Sequence, residues 1–324
     1  MTTKHLNKLI LESISLCLAF SFLISCTKIE REAKVLTTTL GDITLTSAKV
    51  TGEILDVGSG IDDHGHCWSI TESPTIADSK TSLGLIAKTG SFISELQNLQ
   101  PGTTYYVKSY VRSGDNVIYG KMDHFETYGL QDIDDNYYHI VVIGAQTWMK
   151  ENIKTTKYID GKSIPMVTDN SVWGNLISGA YCWYNNDEEY FKAMYGALYN
   201  WYAVNTNKLC PIGWHLPSDS EWTELINYLG GESVAGGKLK ETGDLRWNTP
   251  NTAANNQSGF TALPGGYRTN DGGFYYIGSF GYWWSSTEVS STNAWYRYMF
   301  YYFSNVYRNC TNKKLGFSVR CVRD

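Results

Sequence analysis

Short runs in which apolar and polar residues alternate fill the chain between residues 35 and 127. A period of two places every second side chain on the same face, which is typical of β-strands with one buried face. Turn residues such as glycine, asparagine and aspartate separate the runs, so the pattern predicts a sandwich of short antiparallel strands. The runs are ITLTSAKVTGEIL, HGHCWSI, GSFISEL, TYYVKSYV and VIYGKMDHFET.

One turn of this region carries a more specific motif. The stretch LQPGTTY, from Leu99 to Tyr105, resembles the turn that precedes strand F of fibronectin type III domains. The resemblance implies that residues 35–127 form an all-β fibronectin III-like sandwich, in which the Tyr105 hydroxyl bonds back to the backbone and Trp68 is a core aromatic. We expect this unit to be a spacer or a partner-binding module.

Two histidines of this region raise the question of a metal site. His64 and His66 alternate on one predicted strand, so both imidazoles can face the same side. No third ligand of a suitable type is near, and Cys67 points the other way in a regular strand. We therefore predict a solvated strand edge and no metal at this position.

The hydrophobic period changes from two to that of a helix after residue 218. Apolar residues recur at i, i+3, i+4 and i+7, which places them on one face of a helix. These residues are Trp222, Leu225, Ile226 and Leu229. Ser218 and Glu221 have the spacing of a capping box at the helix start, and Gly230-Gly231 predicts its end. Glu221 is thus a cap residue rather than a catalytic carboxylate.

An acidic stretch near residue 132 resembles the start of a calcium loop but does not complete it. Asp132, Asp134 and Asn136 have EF-hand spacing. An EF-hand then needs glycine and, at position 12, glutamate. Tyr137 and Ile143 occupy those positions, so the sequence predicts a turn before a strand instead.

The chain begins with a pattern that is typical of a cleaved leader. Lys4 and Lys8 precede an uncharged, mostly apolar run from Ser13 to Ser25. The run is about 13 residues long, whereas a transmembrane helix needs about 20 apolar residues. Residues 1–25 are therefore predicted to be a signal peptide.

The end of this run resembles the lipobox of bacterial lipoproteins. The residues Leu23-Ile24-Ser25-Cys26 have an apolar residue three positions before the cut, a small one next to it, and cysteine after it. The resemblance implies lipidation of Cys26, followed by a polar tether over residues 26–34. The expected partner is a membrane, and the expected location is the outer membrane or cell surface, facing the periplasm or the exterior.

Charge and cysteine spacing exclude several functions. Removal of Lys4, Lys8 and Glu12 leaves 25 basic and 31 acidic residues, a net charge of −6, with no basic cluster to contact nucleic acid. Export places the cysteines where disulfides persist. No C-x-x-C motif occurs, so zinc and thioredoxin-type chemistry have no support, and spacing leaves the disulfide connectivity open.

Residues 130–324 carry many motifs in the order found in one family. They resemble the Fibrobacter succinogenes major paralogous domain, which implies an exported or surface protein of Bacteroidetes-type bacteria with no established activity. The motifs are IGAQTWMKENIKTTKY, YCWYNND, YGALYNWYAV, CPIGWHLPSDSEW, GFTALPGGYR, YWWSSTE and GFSVRCVRD.

A more distant similarity concerns the fold. HLPSDSEW, LPGGYR, YWWSST and the terminal GFSVRCV resemble formylglycine-generating enzymes, which implies an α+β, C-type-lectin-like domain. It further implies a first helix containing YNWYAV, a second at 219–229, and a core strand at 317–322 that brings Cys321 to Cys210. A disulfide there leaves Cys182 and Cys310 as the remaining pair.

Catalysis has little support in the second half of the chain. Formylglycine-generating enzymes need a closely spaced cysteine pair that binds copper, whereas Cys310 and Cys321 are eleven residues apart and Cys321 is expected in a disulfide. Neither H-E-x-x-H nor G-x-S-x-G occurs. We therefore predict a non-enzyme without cofactor or catalytic residue.

Aromatic residues are dense between residues 267 and 307. About half should face inward, and the others should be exposed rings beside asparagine, serine and glycine, suited to sugars or a protein partner. The alternative is that all of them fill a core poor in aliphatic residues. The residues are Tyr267, Phe274, Tyr275, Tyr276, Phe280, Tyr282, Trp283, Trp284, Trp295, Tyr296, Tyr298, Phe300, Tyr301, Tyr302, Phe303 and Tyr307.

The sequence as a whole favours a lipid-anchored recognition or adhesion protein. Its ligand would be a glycan or another surface protein, with a degenerate enzyme or a structural part of a surface assembly as alternatives. Candidate ligand-binding residues lie in or beside the expected long loops. They are Asn255, Asn256, Arg268, Asn270, Asp271, Trp283 and Trp284.

Overall fold

The computed structural model describes residues 31–324. The predicted signal peptide, Cys26 and most of the predicted tether lie outside the described residues. Within residues 31–324, no helix is both long enough and apolar enough to cross a lipid bilayer. The described chain is mostly β, with a few short helices.

Two antiparallel sheets form an amino-terminal sandwich. Its strands are β1 (Lys34–Gly41), β2 (Ala48–Asp56), β3 (Asp63–Ser69), β4 (Ser79–Lys80), β5 (Gly90–Leu96), β6 (Thr104–Ser113), β7 (Asn116–Tyr119) and β8 (Asp123–Glu126). One sheet has the order β1-β2-β5, and the other has the order β4-β3-β6-β7, with β8 also paired to β6. Every second residue of β2 is buried at its start, as the alternating pattern predicts. Val50, Leu96 and Val107 meet in the core between the sheets.

The turn before β6 has the hydrogen bond that the fibronectin resemblance implied. The backbone N–H of Gln100 donates to the Tyr105 hydroxyl oxygen at 2.9 Å. Trp68 is buried in the same core. Both expectations for this sandwich are confirmed, and the bond holds the turn against the strand that it precedes.

His64 and His66 do share a face, but the predicted solvated edge is wrong. Both rings contact Phe92, at centroid distances of 4.9 and 5.0 Å, and both side chains are buried. Nδ1 of His64 bonds the carbonyl of Gly84, in the segment after β4, at 2.7 Å, and Nδ1 of His66 bonds Oγ of Ser94, in β5, at 2.7 Å. Burial disfavours the imidazolium and lowers the pKa of His66 to about 4.

The carboxy-terminal region contains thirteen short strands and all five described helices. The strands are β9 (Leu130–Gln131), β10 (Tyr137–Tyr138), β11 (Ile140–Ile143), β12 (Gln146–Met149), β13 (Tyr181–Cys182), β14 (Leu198–Tyr199), β15 (Trp214–His215), β16 (Gly265–Arg268), β17 (Phe274–Ile277), β18 (Phe280–Glu288), β19 (Asn293–Phe300), β20 (Val306–Asn312) and β21 (Val322–Arg323). The helices are α1 (Asn170–Gly174), α2 (Glu188–Tyr195), α3 (Trp201–Val204), α4 (Asp219–Tyr228) and α5 (Glu232–Leu239), with a 3₁₀ turn at Tyr184–Asn186.

Two larger sheets organise this region. One has the order β17-β16-β18-β19-β20, and the other has the order β11-β12-β21-β15. Helices α4 and α5 pack on one face of the five-stranded sheet, where Trp222 and Leu225 meet Trp283 and Met299. A second core on the other side contains Trp201, Trp284 and Phe317.

Local signals place α4 as predicted. Oγ of Ser218 accepts from the Glu221 N–H at 3.3 Å, and the Glu221 carboxylate accepts from the Ser218 N–H at 2.8 Å, which completes the capping box. The four apolar residues that the helical period selected are all buried in one core. YNWYAV forms the short α3 rather than the first helix of the region.

The turn at residue 132 follows from its own side chain. Oδ1 of Asp132 accepts from the backbone N–H groups of Asp134 and Asn136 at 2.9 and 3.0 Å. Oδ2 accepts from the Tyr138 hydroxyl at 2.6 Å. The carboxylate is therefore satisfied within the turn, which agrees with the rejection of an EF-hand.

The final segment passes through the core, and the structure joins Cys321 to Cys210. All of residues 316–322 are buried, although only Val322–Arg323 has regular strand pairing. The disulfide spans a sequence separation of 111 residues. Closure of a loop of that length is worth about 4–5 kcal/mol in the chain-entropy model.

The two ends of the sandwich have different neighbours. At one end, Nε of Arg31 bonds the Asp56 carboxylate at 2.8 Å. At the other end, Ile140 packs on Gly129, and Nζ of Lys150 lies 2.8 Å from the Glu126 carboxylate. Strand β2 runs between these ends, over about 27 Å at the usual rise per residue. The amino-terminal residue of the described chain and the carboxy-terminal region thus lie at opposite ends of the sandwich.

Candidate functional site

The outer face of the five-stranded sheet carries a continuous group of aromatic rings. Alternation separates them from the core: Trp283 and Met299 point towards α4 and are fully buried, whereas Tyr282 and Tyr298 point the other way and are half-buried. We call this group the aromatic surface. Its residues are Tyr267, Tyr275, Tyr276, Phe280, Tyr282, Tyr298, Phe300, Tyr302, Phe303 and Tyr307.

Most of these rings lie in two rows that cross the strands. In the first row, neighbouring centroids are 5.0, 5.7 and 4.8 Å apart, from Tyr267 through Tyr282 and Tyr298 to Tyr307. In the second row, Phe280 and Phe300 stack at 4.3 Å, and Tyr276 and Phe303 flank them at 5.1 and 5.7 Å. Because inner rings face one another, they present mainly edges to solvent.

The hydroxyl groups of this surface have no partner in the described part of the chain. The tyrosine hydroxyls that bond within residues 31–324 belong to Tyr105, Tyr110, Tyr119, Tyr138 and Tyr199. No hydroxyl oxygen of the four partly buried tyrosines of the aromatic surface is fully buried, so each keeps some contact with solvent. Burial, reinforced by neighbouring tyrosines, raises the pKa of Tyr282 and of Tyr298. These phenols therefore stay protonated, as donors and acceptors, at neutral pH.

An irregular backbone conformation brings two successive tyrosines to the surface. Tyr267 pairs with Tyr275 and Gly265 with Ile277, so Gly266 and Tyr276 lie opposite each other in an unbroken register. Both have positive φ, +60° and +64°, which is unusual for a residue as bulky as tyrosine. Regular pleating would send consecutive side chains to opposite faces. Here the rings of Tyr275 and Tyr276 lie 6.2 and 5.9 Å from the same Tyr267 ring.

The hairpin between β19 and β20 exposes two more rings and is firmly anchored. Tyr302 and Phe303 are about half exposed. The buried Nζ of Lys240 donates to the carbonyl oxygens of Phe303 and Thr252 at 3.0 and 3.1 Å. The N–H of Gly237 donates to the Ser304 carbonyl at 3.0 Å. These rings therefore stay exposed on a loop whose backbone is fixed.

Two predicted ligand-binding residues, Trp283 and Trp284, are wrong, because both are fully buried in β18. The indole N–H of Trp283 donates to Oδ1 of Asn152 at 2.8 Å, and that of Trp284 donates to the Tyr199 carbonyl at 2.8 Å. Core side chains cover both faces of β18 at this point, so neither ring reaches a ligand.

Arg268 is also wrong as a ligand-binding residue. Its guanidinium is buried and lies 4.4 Å from the Trp173 ring centroid. Its N–H groups donate to the carbonyl oxygens of Val167, Thr168 and Gly272. With its donors used in this way, Arg268 fixes the segment before α1 to the sheet.

The remaining candidates are divided between two loops. Asn255 is exposed, and its N–H bonds the Gly237 carbonyl. Asn256 is partly buried and holds its own loop, since its side chain bonds both the N–H and the hydroxyl of Thr261 at 2.9 Å. Asn270 and Asp271 are exposed in the turn after β16. None of the four belongs to the aromatic surface.

The predicted Cys182–Cys310 pair is not formed. Both residues are free thiols in the structure. Cys182 is fully buried in β13 beside Trp173 and Leu198, whereas Cys310 lies on β20 opposite Trp295. They belong to different sheets, and burial raises the pKa of Cys182 to about 12, so this thiol is unreactive.

The polar cluster of His215, Glu221 and Asp324 has a structural role. Nε2 of His215 lies 2.7 Å from Glu221, and its Nδ1 lies 2.6 Å from Asp324. Since Glu221 caps α4, the cluster ties the helix start to the last described residues. Within residues 31–324, no three His, Cys, Asp or Glu side chains converge as a metal site would require.

Several residues that shape the aromatic surface were missed at the sequence level. Alternation in FGYWW and YRYMF contains a signal for the rows, since every second residue is aromatic. No comparable signal marks Lys240, because a lysine in a polar loop is ordinarily solvated. The pair Gly266 and Tyr276 was missed as well, since a positive φ is rare at tyrosine and the sequence around Tyr276 does not signal it.

Residues 141–323 match the family model described as the Fibrobacter succinogenes major domain. The match covers more than half of the 324 residues. The chain belongs to this family. The whole aromatic surface lies within the matched Fibrobacter succinogenes major domain and none of it in the sandwich. Comparison with curated proteins gives no significant match.

Solved structures share limited similarity with this Fibrobacter succinogenes major domain protein. The sensor domain of the anti-sigma factor RsgI4 in Pseudobacteroides cellulosolvens is 20% identical over 30% of this chain and 96% of that chain, with a TM-score of 0.25. A fibronectin type III domain derived from human KIAA0970 protein is 13% identical over 32% of this chain and 79% of that chain, with a TM-score of 0.23. The assignment of the sandwich rests on its own sheet order and on the Tyr105 bond.

Proposed function

We propose that this protein is a non-catalytic recognition module that binds neutral glycans through the aromatic surface. The observation that carries the proposal is the row of tyrosine hydroxyls without protein partners on a rigid, uncharged face. Flat rings pack against the C–H faces of sugars, and phenols exchange hydrogen bonds with sugar hydroxyls. Both kinds of contact are present on this face.

The charge of the surroundings favours a neutral ligand over an acidic one. The ten residues of the aromatic surface carry no charged side chain. Arg308, on the neighbouring strand β20, is engaged elsewhere: it stacks 3.4 Å from the Trp295 centroid and pairs with Asp219 at 2.9 Å. The Asp271 carboxylate accepts from Thr269 and from the Gly273 N–H within its own turn. Both charges are therefore engaged within the protein.

The second part of the proposal concerns display. Lipidated Cys26 would hold the protein at the outer membrane or cell surface, and the sandwich would act as a spacer. The position of Arg31 at the end of the sandwich opposite the carboxy-terminal region supports this arrangement. The length of β2 places Arg31 about 27 Å from the end of the sandwich that meets the carboxy-terminal region.

The proposal includes a C-type-lectin-like fold for the carboxy-terminal region. Its support is the helix at 219–228, the buried terminal segment and the Cys210–Cys321 disulfide. An enzyme of the formylglycine-generating type has less support. Such a site would need Cys310 and Cys321 as thiols, and Cys321 is bonded to Cys210.

A glycan array tests the proposal. The mature protein, extracted from membranes in mild detergent, is applied with calcium and with a chelator. We expect binding of neutral glycans in both conditions, loss of that binding in Tyr302→Ser/Phe303→Ser, and full retention in Tyr190→Ser. Tyr190 is a comparably exposed tyrosine on α2, outside the aromatic surface. A blank array with folded wild-type protein would contradict glycan recognition.

A separate measurement tests the anchor. Mass spectrometry of the mature protein should find an acylated amino-terminal Cys26. An unmodified amino terminus would remove the lipid anchor from the proposal and leave glycan recognition unaffected.

A further inference from the structure

The most exposed rings of the aromatic surface lie at its two ends. Tyr275 and Tyr276, on edge strand β17, are 48% and 53% exposed. Tyr302 and Phe303, in the β19–β20 hairpin, are 54% and 45% exposed. The rings between these ends are only partly accessible and stack on one another.

The distance between the ends exceeds the size of one sugar ring. The second row joins Tyr276 to Phe303 in three steps between ring centroids, of 5.1, 4.3 and 5.7 Å, a path of about 15 Å. The positions between the ends are the stacked rings themselves, and Phe317 of the terminal segment packs on Tyr282 at a centroid distance of 5.1 Å. The cavities of 330–480 Å³ found elsewhere on the molecule are lined by other residues.

Given the proposed function, we propose that the ligand is a linear, extended neutral polysaccharide that lies across the strands. Its chain contacts the β17 tyrosines and the hairpin rings at the same time. Between these ends the sugar chain passes over Phe280 and Phe300. The hydroxyls of Tyr282, Tyr298 and Tyr307, in the adjoining first row, bond successive sugar units from the side. A surface of this shape selects the interior of a chain rather than a terminal sugar.

The rigidity of both ends supports simultaneous contact. The backbone of Tyr275 and Tyr276 packs closely on Gly266, where a Cβ atom would approach the Tyr275 carbonyl oxygen to 2.5 Å. The hairpin is held by Lys240 and by the Gly237 N–H. An extended polymer therefore meets two fixed contact sites, and the binding free energy is not reduced by ordering of the protein.

A length series tests this inference. Linear gluco-, xylo-, manno- and malto-oligosaccharides, from monomer to hexamer, compete with the best array ligand for the detergent-solubilised mature protein. We expect affinity to rise about tenfold or more from dimer to hexamer, the effect of one well-packed ring contact at the far end. The monomer should compete only weakly.

Variants at the two ends distinguish one extended site from two small ones. Tyr275→Ala and Phe303→Ala should each lower hexamer affinity about tenfold and leave monomer affinity unchanged, and the double variant should bind hexamer no better than dimer. Tyr190→Ala, again the control, should keep the full length dependence. Thermal unfolding of each variant verifies its folding.

Two results would overturn the inference. If the monomer competes as well as the hexamer, or if each single variant weakens all lengths equally, the extended-chain site is wrong while glycan recognition stands. If no saccharide of any length binds folded wild-type protein, both proposals are wrong.

Discussion

Both faces of the five-stranded sheet carry aromatic rings, but the two faces differ in the way their polar groups are satisfied. On the face against α4 and α5, Trp283 is fully buried and its N–H donates to Asn152. On the opposite face, Tyr282 and Tyr298 are half-buried, and their hydroxyls have no partner in the described chain. The same strands therefore supply a closed core on one side and an open polar edge on the other.

The polar groups on the two faces therefore contribute differently to the stability of the fold. A buried polar group without a partner costs stability, so the core satisfies its indole N–H groups internally. Phenols on the open face contribute little to the fold through their oxygens, because water satisfies them equally in the unfolded chain. Phenylalanine would pack as well at these open positions, so packing alone does not require the hydroxyl groups.

The largest expected effect comes from adjacent residues of β19 that point to opposite faces. Met299→Ala removes a fully buried side chain beside Trp283 and should lower the free energy of unfolding by about 2–5 kcal/mol. Tyr298→Ala removes a half-buried ring stacked on Tyr307 at 4.8 Å and should cost about 1 kcal/mol. Urea unfolding measures both, and equal losses would contradict the division into a core face and an open face.

A smaller effect on stability is expected from a change in α5 where this helix contacts the β19–β20 hairpin. A Cβ atom at Gly236 of α5 would lie 2.3 Å from the Asn305 carbonyl oxygen, in the hairpin that carries Tyr302 and Phe303. Gly236→Ala should therefore displace the hairpin, lower the free energy of unfolding by about 1–3 kcal/mol and weaken hexamer binding.

The matched control for this change is Gly243→Ala, at a position with open space but positive φ. It should lose stability through backbone strain without loss of ligand affinity. If Gly236→Ala keeps full affinity, the hairpin is not a contact site.

Local signals in the sequence predicted part of this arrangement. The Ser218 capping box and the Tyr105 turn each depend on a few neighbouring residues, and both are found in the structure. Alternation likewise separates Phe280 and Tyr282 from Trp283. These features need no knowledge of distant segments.

Tertiary packing decided what the sequence could not. Trp284 points to the same face as Tyr282, yet it is fully buried because Phe317, from the terminal segment, packs on it at 4.4 Å. Arg268 is buried because the segment before α1 supplies carbonyl acceptors about a hundred residues away in sequence. Which part of a strand face is covered depends on such long-range contacts, and alternation alone does not report them.

Alkaline pH should act more weakly, and mainly on the open face. Burial raises the pKa of Tyr282 and Tyr298 in the folded protein, whereas the unfolded chain releases these protons near pH 10. The folded state thus binds more protons above pH 10, so the free energy of unfolding falls as pH rises beyond that value. Tyrosinate absorbance, followed together with circular dichroism, should show phenol ionisation coupled to unfolding.

A double variant isolates this contribution from that of other buried tyrosines. Tyr282→Phe/Tyr298→Phe removes the two hydroxyls and keeps the rings. Its free energy of unfolding should fall less than that of the wild type when the pH is raised from neutral to above 10. An unchanged pH profile would show that these two phenols titrate alike in the folded and unfolded states.

The smallest effect on stability should come from Tyr298→Phe alone. This variant should change ligand affinity while it leaves the free energy of unfolding nearly unchanged. The change removes one oxygen and leaves the ring stack intact, so the free energy of unfolding should move by no more than about 0.5 kcal/mol. Ligand affinity should nevertheless fall about tenfold, because a hydrogen bond to the sugar chain is lost at the centre of the row. Calorimetric titration with the best-binding hexamer, together with urea unfolding, measures both quantities on one sample. Unchanged affinity in this variant would mean that the central hydroxyl does not contact the sugar, and that recognition depends on the end rings alone.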